Sequence, residues 1–373
     1  MEKFLEFSDI ALTPVEQNRG GVIANMANLA VVDEDDITGF SKSLPIFTSP
    51  MESIVGKEDY NLWQQYGIRA VIPRTDDIRA RLELCGKIFC GFSIPEVKDY
   101  FINQDRRGGS IQYHICIDVG NGHDVNVLNI CKQLKDRYQK QVLIMAGNVA
   151  DPKSYINYSK AGIDYMRLGI SCGSLVNHRK YGFHYPMAQL LIDLRTFINS
   201  GSCVGLRKVK IIADGGIECY ADIMKAIALG ADYVMIGREF ARIEEANGAV
   251  VKKDTGPDGK QINIPIDPSS LIGMSLQRLN SSDYYRYYFS NTSEQMQAKR
   301  DGFRDVDEWK KRKPKNLRRT DTGLGWEIIK IDTDLKTWYE GFEDVVIQDF
   351  IWANATTWEE YKKNMMKHIA RLE

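Results

Sequence analysis

Short, nearly continuous apolar runs recur along the chain: LPIFTS (44–49), IRAVIP (68–73), KIFCGF (87–92), YHICID (113–118), VLIMAG (142–147), DYMRLG (164–169), VKIIAD (209–214) and DYVMIG (232–237). They lack the polar alternation of a half-solvated strand, so each predicts a strand covered on both faces. Most precede a segment of helical character, such as DVNVLNICKQLKDRYQ (124–139) or ADIMKAIALG (221–230). Eight strand-then-helix units predict a (βα)8 TIM barrel of the α/β class, with a doubly wound open sheet as the competing arrangement. A single barrel domain over residues 1–373 is expected. After the eighth run the stretch 243–332 is long and polar, which predicts an irregular lid, binding loop or disordered insertion.

In a barrel the chemistry sits on loops at the C-terminal ends of strands. The fourth run ends in IDVGNGHD, the fifth in MAGNV, the sixth in GISCGSLVNHRK, the seventh in ADGGIEC and the eighth in IGREF. Gly215, Gly216 and Gly237 lie where barrels often build a phosphate site, since glycine lets backbone N–H groups approach an anion and a following helix N-terminus favours negative charge. Arg238 adds a cation there. Each glycine alone reads as a tight turn sooner than as a ligand contact; together they predict a phosphate-bearing ligand.

Composition narrows the partners. With 43% hydrophobic residues and a formal net charge of −1 in 373 residues, a sizeable core is expected and no global field favours nucleic acid or a membrane surface. Seven basic residues crowd KKRKPKNLRR (310–319), which reads as a solvated face, so nucleic acid is not the expected partner. Seven irregularly spaced cysteines without a CxxC pair, no secretory leader in MEKFLEFSDIALTP and no apolar run of the ~20 residues that span a bilayer predict reduced thiols in a cytoplasmic protein. No metal site is predicted.

Several blocks, in order, carry a resemblance: LTP (12–14), TSPMESIVG (48–56), IDVGNGH (117–123), MAGNV (145–149), LGISCGS (168–174), ADGGI (213–217) and ALGADYVMIG (228–237). Together they resemble the IMP dehydrogenase/GMP reductase family. YYFSNTSEQMQ (287–297) is similar to its Tyr-x-Gly-Met-Ser-Ser segment, and residues 333–362 to its closing helices. The resemblance implies a barrel enzyme, an NADPH- or NADH-dependent oxidoreductase acting on a purine 5′-monophosphate or an analogue, and a homotetramer. It places the phosphate on Ser174, Gly216 and Gly237, beside Arg238, the ribose on Asp214, further substrate contacts at Gly215, Ser290 and Asn291, and the nicotinamide side at Asp118, Gly120, Asn121 and Asn148. Because IRAVIPRTDDIRARLE runs directly into a helix, without an inserted regulatory module, the architecture is more like that of a GMP reductase.

One departure bears on the reaction. Laid on the family pattern Gly-Ile-Gly-Pro-Gly-Ser-x-Cys, the loop GISCGSLV puts Val176 where the nucleophilic cysteine belongs, and valine has no lone pair. Cys172 falls on the proline position and reads as a small loop filler. His178 stands two places after Val176, and Asp321 or, depending on one gap, Thr322 matches the flap glutamate; His178 and Asp321 are the candidate proton-transfer groups, with a solvated loop histidine as the plainer reading of His178. The family's monovalent-cation site uses carbonyls of this loop, and the substitutions do not favour it. Two readings stand open: an oxidoreductase with altered chemistry, or a nucleotide-binding homologue that no longer turns over and serves in regulation or assembly.

Overall fold

The computed structural model describes residues 4–15, 43–104, 112–173, 175, 182–255, 261–271, 273–281, 283–289, 306–312 and 326–371. After a short strand β1 (Ile10–Leu12), eight parallel strands form the barrel: β2 (Ile46–Thr48), β3 (Val71–Ile72), β4 (Phe89–Phe92), β5 (Tyr113–Asp118), β6 (Val142–Val149), β7 (Tyr165–Leu168), β8 (Lys210–Asp214) and β9 (Tyr233–Ile236). Each lies within one predicted apolar run or overlaps it closely. They are hydrogen-bonded in the order β2-β9-β8-β7-β6-β5-β4-β3. The ring closes where Thr48 N–H donates to the Arg69 carbonyl and Arg69 N–H to that of Ile46, both at 2.9 Å. The expected (βα)8 architecture is therefore the one found, and the open sheet is not.

Strand periodicity divides each strand between two cores. Phe47, Val71, Phe89, Cys116, Leu143, Met145, Tyr165, Ile212, Tyr233 and Met235 fill the barrel interior. Four of these are aromatic, with ring centroids 5.1 Å apart for Phe47 and Tyr233 and 5.3 Å for Phe89 and Tyr165. Alternate residues, such as Ile46, Ile72, Ile115 and Ala213, face outward into a larger core shared with the helices. The helix Val125–Tyr138 buries Val127, Ile130, Cys131, Leu134 and Tyr138, the three- and four-residue spacing of one helical face. Its first turn is capped by the Asp124 side chain, which accepts from Asn126 N–H at 2.9 Å. The helix Tyr220–Ala228 packs under the long helix Leu335–Trp352, tied by the Tyr220 hydroxyl donating to the Trp338 carbonyl at 2.9 Å.

The stretch 243–332 departs from the irregular segment expected. Its described residues form a four-stranded antiparallel sheet, β11-β10-β12-β13, from β10 (Val250–Thr255), β11 (Gln261–Ile266), β12 (Tyr284–Phe289) and β13 (Trp326–Lys330). Val250, Leu271, Leu279 and Ile331 give it a small core of its own. In YYRYYF, the inward residues of β12 are Arg286 and Tyr288. Arg286 is fully buried and donates to the carbonyls of Ala241 and Glu244, each at 2.9 Å, and of Ile243, so an arginine docks the sheet onto the turn after β9. A core position held by arginine hides this strand from a search for apolar alternation.

Candidate active site

Three charged side chains meet at the mouth of the barrel because of the same two-residue period. Cys116, Tyr165 and Ile212 point into the interior. Two residues on, the next inward positions of β5, β7 and β8 are Asp118, Arg167 and Asp214. Arg167 spans the two carboxylates: Nη1 lies 2.9 Å from Asp118 Oδ1, while Nε and Nη2 lie 3.0 and 2.8 Å from Asp214 Oδ2. Asn148, at the end of β6, donates from Nδ2 to the same Asp214 oxygen at 2.6 Å. Arg74, after β3, places Nε 3.5 Å from Asp118 Oδ2. Burial alone would lower the Arg167 pKa, but Asp214, Cys116 and Asp118 outweigh it and hold the guanidinium firmly protonated. Burial pushes the Cys116 thiol beneath it up to about 12.

These groups line a cavity of about 220 Å³ that also takes in Gly120, Cys172, Gly215, Gly216, Gly237, Arg238 and Tyr288. Gly215 and Gly216 have φ of +104° and +81°, a region that L side chains rarely adopt. A Cβ on Gly215 would also stand 2.9 Å from the Gly173 nitrogen. At Gly237 the constraint is space: a Cβ would come within 2.5 Å of the Tyr288 hydroxyl. Arg238 pairs with Glu327 of β13 across 3.2 Å, so an anion arriving there meets a cation already engaged.

On the opposite side, the loops after β5 and β6 are sewn together. Gly122 N–H donates to the Asn148 carbonyl at 2.8 Å, and the Tyr158 hydroxyl to that of Gly122 at 3.1 Å. His123 Nε2 accepts from Ala150 N–H at 3.1 Å, consistent with a neutral ring whose pKa burial holds down. Asn121 is turned to a local task, its Oδ1 accepting from His123 N–H at 3.0 Å, and is absent from the cavity lining.

In the loop after β7, the Cys172 thiol donates to the Tyr185 carbonyl at 3.1 Å. The Ser171 carbonyl lies 3.1 Å from His184 Nδ1, whose Nε2 lies 3.2 Å from Glu6 Oε1. Ser174, Val176, His178, Ser290, Asn291 and Asp321 lie outside the described residues. Of the positions read from sequence, the structure thus gathers Asp118, Gly120, Asn148, Asp214, Gly215, Gly216, Gly237 and Arg238 around one cavity. Sequence reasoning missed Arg74, Arg167 and Tyr288. The available signal for Arg167 was a basic residue in the middle of the run DYMRLG, flanked by apolar side chains.

Comparison with known proteins agrees with the blocks read from sequence. A family model described as the IMP dehydrogenase/GMP reductase domain matches residues 90–300, more than half of the chain. A GMP reductase of Photobacterium profundum is 36% identical over 141 residues, 38% of this chain and 39% of the relative. A GMP reductase of Bacillus licheniformis is 28% identical over 267 residues, 68% and 76% of the respective chains. An inosine-5′-monophosphate dehydrogenase of Chlorobaculum parvum is 32% identical over 173 residues, 46% and 33%. For two of these three the match spans less than half of the relative's length.

Proposed function

The chain belongs to the IMP dehydrogenase/GMP reductase family, and we propose that it binds a purine 5′-monophosphate in the barrel mouth and acts on it, or on an analogue, as an NADH- or NADPH-dependent oxidoreductase. The observation that carries this reading is the single cavity shared by the phosphate-type turns (Gly215, Gly216, Gly237) and the polar cluster of Asp118, Asn148, Arg167 and Asp214. The turns offer backbone N–H groups to a phosphate, and Asp214 offers a carboxylate to ribose hydroxyls. Among the described residues around it, Gly120 has open space where a Cβ would be, and this suits the close approach of a flat ring beside Asp118 and Asn148.

A bound NADH or NADPH would supply the hydride, or its oxidised form would accept it. The chain's own residues hold the two ligands together: the sewn loops fix Asn148, and Arg167 fixes both carboxylates. Proton transfer falls to His178 and Asp321, since Val176 cannot form the covalent bond of the family mechanism. The Ser171 carbonyl already faces His184, which argues against a monovalent cation on this loop. A homotetramer and a cytoplasmic location complete the reading; no described helix is long and apolar enough to cross a membrane.

The Val176 substitution favours a second reading, a purine-nucleotide-binding homologue without turnover. A spectrophotometric screen of GMP and IMP with NADPH, NADH and their oxidised forms, with calorimetric binding run in parallel, separates the two. A hydride-dependent absorbance change at 340 nm is the expected result. Binding without any such change selects the second reading, and absence of nucleotide binding overturns both.

A further inference from the structure

We propose that Arg167 is a positioning residue that sets ribose recognition: it clamps one oxygen of Asp214 so that the other is held ready for the sugar hydroxyls of the bound nucleotide. This rests on the nucleotide reading above.

A carboxylate turning about its Cβ–Cγ bond offers either oxygen to a ligand, and its aim is lost unless one of them is pinned. At Asp214 the pinning is one-sided. Oδ2 receives Asn148 Nδ2 at 2.6 Å and Arg167 Nε and Nη2 at 3.0 and 2.8 Å. Oδ1 takes no hydrogen bond from the described residues, and Asp214 lines the cavity. An ionised carboxylate has about four acceptor positions, so three donors on one oxygen leave the capacity for hydroxyl donors on the other.

The guanidinium is itself prevented from turning. Its third nitrogen, Nη1, is held by Asp118 Oδ1 at 2.9 Å, and Arg74 stands on the far side of that carboxylate at 3.5 Å. The row Arg74, Asp118, Arg167, Asp214 alternates in charge and draws on the ends of four strands, so its four formal charges cancel. A lysine could neutralise the same two carboxylates. As a point charge it lacks the planar fork that reaches both at once. Charge balance alone would be met by either residue; the aim of Asp214 is met by arginine.

The test uses the full chain and three probes: IMP, its 2′,3′-dideoxy analogue and inosine. The native protein is expected to prefer IMP to the dideoxy analogue by roughly 10-fold or more, the effect of hydrogen bonds to a charged acceptor. It should also prefer IMP to inosine through the phosphate. In Arg167→Lys the preference for the hydroxyls should shrink to about 3-fold or less, while the preference for the phosphate is retained. Arg167→Met is carried alongside, with near-ultraviolet circular dichroism as the check of folding. If Arg167→Met does not fold, Arg167→Lys, which keeps the charge, decides. A lysine variant that weakens for all three probes together, or keeps the full hydroxyl preference, overturns the proposal and leaves the nucleotide reading standing. A native protein that binds neither IMP nor its dideoxy analogue overturns that reading and the proposal with it.

Discussion

At the scale of single residues, the loop after β7 separates a thiol that is present from a thiol that is usable. Cys172 lines the cavity, but its Sγ–H is spent on the Tyr185 carbonyl at 3.1 Å. Covalent attack needs reacting atoms ~3–3.5 Å apart and in line. We therefore predict that a purine nucleotide carrying a chloro leaving group on its base forms no adduct at Cys172, as read by intact-mass and peptide mass spectrometry. Rapid, stoichiometric labelling of Cys172 that IMP suppresses would restore a thiol mechanism. The residues legible in the sequence were those whose strand ends announce them: Asp118, Asn148 and Asp214 close or follow apolar runs and stand within two positions of a glycine. Arg167 was hidden inside such a run. What makes a buried arginine tolerable is a pair of carboxylates on β5 and β8, and that pairing exists only once the barrel is closed.

At the scale of elements, the antiparallel sheet after β9 was the main feature missed. Lysines and tyrosines break up its strands, as in VVKKDT and YYRYYF, and its docking residue is the buried Arg286, so no continuous apolar run marks it. Close to Arg286 lies Asp59, which precedes the helix Tyr60–Gln65 and accepts from Gly56 N–H at 2.6 Å. Burial, with help from Asp76 and against the hydrogen bond from Gly56, raises its pKa to about 6 from an ordinary 3.8. Between those two values the folded chain binds more protons than the unfolded one. Stability contributed by this group is thus present at low pH and lost as the pH rises through about 6. Asp59→Asn keeps an acceptor for Gly56 and removes the charge. It should be more stable than the native protein at neutral pH by up to ~3 kcal/mol, with the difference fading towards acid pH, as measured by urea unfolding at both. A difference independent of pH would show that burial of this charge is not its source.

At the scale of the whole molecule, the closed barrel keeps stability and ligand binding in separate layers. The aromatic interior of Phe47, Phe89, Tyr165 and Tyr233 fills the barrel, and the charged row lies one inward step above it. Phe47→Ala should cost ~3–5 kcal/mol in unfolding free energy while changing nucleotide affinity by less than about 3-fold. A large loss of affinity at full folding would mean that the layers are coupled. The pair between Arg238 and Glu327 has a different bearing, on the order in which the molecule is assembled. These residues lie 89 positions apart, so the contact that joins β13 to the turn after β9 closes a long loop. The interior pair of Phe47 and Tyr233 closes a loop about twice as long. Closure entropy grows only slowly with length, by about 0.6 kcal/mol per doubling, so neither contact is held back relative to the other. During refolding the interior rings should acquire their near-ultraviolet signal in the same phase in which the rim of the nucleotide site is completed.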